Sequence, residues 1–117
     1  MVFLCHIYSY KIIPMIRDAV LSVPIGNEVL QIDCGILYNN DYGIELEGIL
    51  ECRFNNLSYY KFQELFKLMN CFKENRVKHF FELEIGKENM ILCDVVIEEL
   101  FRDNILLNVG RVVINEV

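Results

Sequence analysis

Only between residues 57 and 75 do the apolar side chains of this chain recur at three- and four-residue spacing over several turns. Tyr59, Phe62, Leu65, Phe66, Met69 and Phe72 line up on one side of a helix, and Lys61, Gln63, Glu64, Lys67, Asn70 and Glu74 fall mostly on the other. Ser58 is placed as N-cap, Leu57 and Phe62 as the two ends of a hydrophobic staple, and Asn75 as the stop. The spacing therefore predicts one amphipathic helix over about 58–74. Lys73 falls near the middle of the stripe, so either the last turn leaves the core or this side chain snorkels outward. If Phe66 is a core residue, truncation to Ala is expected to cost about 3–5 kcal/mol.

The segments on either side alternate with period two. In residues 43–54, Ile44, Leu46, Gly48, Leu50, Cys52 and Phe54 face one way and Glu45, Glu47, Glu51 and Arg53 the other, which is the pattern of a half-buried strand. Residues 39–43 (Asn-Asn-Asp-Tyr-Gly) tolerate positive φ and are expected to join it to a strand over 30–37. After the helix, Phe81, Leu83 and Ile85 alternate with Glu82 and Glu84, and residues 86–89 read as a turn. Residues 90–101 and 105–114 form a second hairpin closed at 102–104. Segments 19–54 and 79–114 echo each other weakly, each reading as three strands, but their unequal gaps favour coincidence over duplication.

About six strands with one helix give an α+β class: a mostly antiparallel, strongly twisted or barrel-like sheet with the helix packed on it, in a single domain over 1–117. At 54% hydrophobic residues the chain has ample material for one core. Residues 95–97 and 105–107 are apolar on both faces, which calls for cover on both sides or a surface kept for a partner.

Charge and cysteine usage narrow the function. A net charge of −6 argues against nucleic acid, whose non-specific binding needs lysine and arginine to neutralise phosphates. Residues 1–14 are apolar but have no cationic leader and no small-residue cleavage site, and no run approaches the roughly 18 apolar residues of a membrane span. Five cysteines with no closely spaced pair fit free thiols in a reducing cytoplasm rather than a disulfide framework or zinc site.

No pattern for catalysis emerges. His6 and His79 lack nearby ligands, the three serines lie outside any nucleophile elbow, and the six glycines fit no phosphate-binding loop. No cofactor or metal is expected. Cys34, beside Asp33, reads as a buried small hydrophobe before it reads as a nucleophile, and Cys71 projects from the polar side of the helix. What stands out is acidic: Asp41, Glu45, Glu47, Glu51, Glu82, Glu84, Glu98 and Glu99 on strand faces, with Glu45/Glu47 and Glu82/Glu84 paired by two-residue periodicity. Such a surface steers a basic partner. The reading is a non-enzymatic protein-binding module of the inhibitor or toxin-immunity kind. The alternatives are a self-assembling subunit of the phage-tail or injection-machine type and, last, a thiol-dependent enzyme using Cys34 or Cys71.

Overall fold

In the computed structural model, residues 15–38, 46–75 and 78–115 are described. The turn at 39–43, His6, and the acidic candidates Asp41 and Glu45 lie outside them, as do the side chains of Phe72 and Lys73. Among the described residues, seven strands and one helix follow in order: β1 (Met15–Ile25), β2 (Glu28–Tyr38), β3 (Gly48–Phe54), α1 (Tyr59–Asn75), β4 (His79–Ile85), β5 (Glu88–Leu100), β6 (Asn104–Val109) and β7 (Arg111–Asn115).

Two meanders, β1-β2-β3 and β4-β5-β6, meet at both edges. β3 pairs with β6 and β1 with β4, all antiparallel, so six staves close into a barrel, as the expected barrel-like α+β class requires. Both meanders start with the same two-residue turn. Ile25 pairs with Glu28 around Gly26 (φ 59°), and Ile85 pairs with Glu88 around Gly86 (φ 61°), a positive angle that glycine adopts without steric cost.

Alternation sorts the side chains by wall. Leu21, Val23, Ile32, Ile36, Leu50, Phe81, Leu83, Leu92, Ile105 and Leu107 point inward and fill the barrel. On β5 the inward positions change from Met90 and Leu92 to Val95 and Ile97, because residues 93–94 form a bulge opposite Phe80. Asp94 takes φ 54° there. The expected single strand over 105–114 is broken at the same level: a Cβ on Gly110 would lie 2.9 Å from the Asp94 Cβ, so only glycine fits, and β6 gives way to β7. The runs 95–97 and 105–107 are thus strands with one face inside and one half-buried residue, Val96 or Leu106, outside.

The helix starts as its sequence dictates. Ser58 Oγ accepts from the Lys61 N–H at 3.2 Å, as an N-cap should. The linker is fastened to the barrel: Asn55 N–H donates to the Asp33 carbonyl, Phe54 N–H to the Asp103 carbonyl, and Lys61 Nζ to the Gln31 carbonyl. Arg102, from the β5–β6 turn, donates to the Leu57 carbonyl at 2.8 Å and stacks over the Phe62 ring at 5.3 Å. From the edge of β2 the helix crosses to pack on β5, the stave opposite β2 in the ring.

One expectation is corrected here. Leu65 and Met69 are buried, with Phe62 and Leu68 partly buried beside them, but Phe66 is 48% exposed and Tyr59 is exposed too. The anchors at Arg102 and Lys61 set the rotation of the helix so that the Leu65–Met69 line, not the aromatic line one step of about 100° away, meets the barrel.

Candidate functional site

Strand registers turn the outer wall of β2-β1-β4-β5-β7 into rows. One row runs Asp33–Val20–Glu84–Asn89–Asn115, and the next runs Gln31–Ser22–Glu82–Ile91–Val113. A third holds the pair Val29–Pro24, then Phe80 opposite the bulge, then the pair Cys93–Arg111. The apolar members of the second and third rows line a groove of about 430 Å³ whose walls are Ser22, Pro24, Val29, Phe80, Glu82, Ile91, Cys93 and Val113. Val29 and Phe80 are each 59% exposed, and Val113 is 41% exposed, so this is a wet apolar surface on the outside of a barrel.

Beside it the first row is acidic. Asp18, Asp33 and Glu84, with Val20, Asn55 and Gly86, border a second depression of about 370 Å³. Among the described residues the one ion pair is Lys67 with Glu64 on the helix, so these carboxylates have no cationic partner there. Asp18 and Asp33 were not among the acidic candidates. The alternation of Asp18, Val20 and Ser22 against Ala19, Leu21 and Val23 carries the signal for Asp18, and Asp33 joins that wall only through the β1–β2 register.

The remaining candidates divide between walls. Glu82 and Glu84 sit on β4 in the surface just described. Glu51 and Glu99 share a row with Leu106 across β3-β6-β5, Glu98 accepts from Asn108 Nδ2, and Glu51 accepts from Asn104 Nδ2. Glu47 is exposed just before β3. Since β3 and β4 are opposite staves, the structure does not bring Glu51 and Glu84 together.

Among the described residues the interior offers no polar site: no polar or charged side chain is buried, and no group of three His, Cys, Asp or Glu could hold a metal. Cys34, Cys52 and Cys93 are buried free thiols and Cys71 is exposed, as expected of Cys34 as a small hydrophobe and of Cys71 on the polar side of the helix. The Cys52 thiol donates to Cys34, which lowers the Cys34 pKa from its ordinary 9.0 despite burial and the nearby Asp33 and Asp18, and raises that of Cys52 well above 9.0. Burial lowers the pKa of His79, which stacks on Phe81. No described helix is long and apolar enough to cross a membrane. Comparison with protein-family models, curated proteins and solved structures returns no match.

Proposed function

We propose that this protein is a non-catalytic recognition module that holds a basic protein segment against the β2-β1-β4-β5-β7 wall, in the manner of an inhibitor or immunity protein. The carrying observation is the contact between two features: an exposed apolar groove floored by Phe80, Val29, Ile91 and Val113, and a flank of carboxylates at Asp18, Asp33, Glu82 and Glu84 with no ion-pair partner among the described residues. Apolar contact supplies affinity, while charge of one sign selects the partner and speeds encounter. The eight acidic candidates are thereby narrowed to Glu82 and Glu84, joined by Asp18 and Asp33.

The probe is a synthetic peptide alternating lysine and valine, followed by amide chemical shifts of the labelled protein at low and high salt. Changes centred on Val29, Phe80, Glu82, Glu84 and Val113 that fade with salt and are lost in Phe80→Ser and Glu84→Lys support the reading. Changes confined to the helix, or binding indifferent to both substitutions, contradict it.

A second reading, self-assembly, is favoured by β7. It ends the sheet, pairs among the described residues with β5 alone, and exposes Val113 and Ile114. Light scattering separates the readings: a concentration-dependent dimer or ring supports assembly, and a monomer at high concentration supports recognition of another protein.

A further inference from the structure

We propose that Cys34 and Cys52 are a peroxide-oxidisable pair that closes a disulfide across the β2–β3 seam inside the barrel. The register pairs Cys34 with Phe54 and Ile36 with Cys52, so the two cysteines are diagonal neighbours on the inward face of adjacent strands. Both are fully buried, and each is the largest influence on the ionisation of the other. Among the described residues their seam is the shortest ladder of the barrel, pairing Cys34–Ile36 with Cys52–Phe54. A short ladder can shift locally to draw a diagonal pair, with Cα atoms typically about 7–8 Å apart, into disulfide geometry.

Cys34 is fully buried, so peroxide reaches its sulfur only when the short β2–β3 ladder opens locally, at the end where β3 leaves the sheet beside the depression between Asp33, Asn55 and Glu84. Of the two, Cys34 lies beside that opening and Cys52 does not, which makes Cys34 the attacking sulfur and Cys52 the resolving one, and hydrogen bonding with Cys52, which lowers the Cys34 pKa, favours the thiolate there. The Cys34 thiolate attacks the peroxide O–O bond, forming a sulfenic acid and releasing hydroxide, which takes up the proton that left the thiol, giving one water. The Cys52 sulfur then attacks the sulfenic sulfur and expels its oxygen, which leaves as a second water with the Cys52 proton and the sulfenic proton. Two thiols are oxidised by two electrons and one peroxide is reduced.

This inference is independent of the recognition surface, since it concerns the interior of the barrel. The test is hydrogen peroxide treatment of the full chain, alkylation after unfolding, and peptide mapping by mass spectrometry. The expected result is a Cys34–Cys52 linkage with loss of two hydrogens, reversed by dithiothreitol. In Cys52→Ser the linkage disappears and Cys34 is trapped by dimedone. Cys71, exposed on the helix, reports that oxidant was present. If Cys34 and Cys52 remain fully alkylatable while Cys71 is oxidised, or if Cys34 links to another cysteine instead, the proposal fails; the wild-type map alone decides this even if the variant does not fold.

Discussion

The two meanders reach the same branch point and leave it differently. In the first, β3 pairs with the C-terminal half of β2, and Asn55 N–H then donates to the Asp33 carbonyl at 3.0 Å. In the second, β6 pairs with the C-terminal half of β5, and Gly110 N–H donates to the Cys93 carbonyl at 3.1 Å. From there Asn56 swings to φ 58° and Ser58 caps a helix, whereas Gly110 lets the chain continue along β5 as β7. One edge is covered by a helix linker and the other by a strand. The lesson is that a positive-φ Asn followed by a cap exports the chain from the sheet, while a glycine facing a bulged Asp retains it. The retained strand extends the wall on which the apolar groove lies.

Breaking the helix side should have the largest effect. Leu65, on the barrel-facing side of α1, is fully buried, and Leu65→Ala should cost about 2–5 kcal/mol in urea unfolding, against less than about 1 kcal/mol for the half-exposed Phe66→Ala. Equal costs would mean that the helix is rotated toward its aromatic line. Breaking the strand side comes next: Gly110→Val puts branched carbon against the Asp94 Cβ and should cost about 1–3 kcal/mol, with amide protection lost first in β7. Ser58→Ala removes the acceptor for Lys61 N–H and should cost about 1 kcal/mol in the same unfolding assay, leaving β7 protection unchanged.

The smallest effect is pH-dependent. Burial favours neutral His79, so its pKa in the fold lies below the ordinary 6.5 and the unfolded chain binds more protons in that window. Its contribution is complete above about pH 6.5 and is lost as pH falls through the folded value. His79→Phe should flatten that part of the stability profile, measured by urea midpoints across the acid range.

Much of this was legible because alternation and helical period are local. Gly26 and Gly86 mark both hairpins, Ser58 marks the helix start, and Glu82 and Glu84 follow the outward face of β4. What stayed hidden depends on register and rotation. The rotation of α1 is set by Arg102, 45 residues from the Leu57 carbonyl it holds. The break at Gly110 comes from a bulge on another strand, and the row joining Asp33 to Glu84 exists only once β1 pairs with β4. The Cys34–Cys52 neighbourhood likewise follows from the β2–β3 register and from no motif.

The most direct measurement is native-state amide hydrogen exchange across the two closing seams, Ala19–Ser22 of β1 against β4 and Gly48–Arg53 of β3 against β6. A closed barrel predicts that hydrogen-bonded amides of both seams exchange together, through the global opening that also exposes the β1–β2 ladder. Rapid exchange at either seam while β1–β2 stays protected would show an open sheet and contradict the wall on which the recognition surface is built.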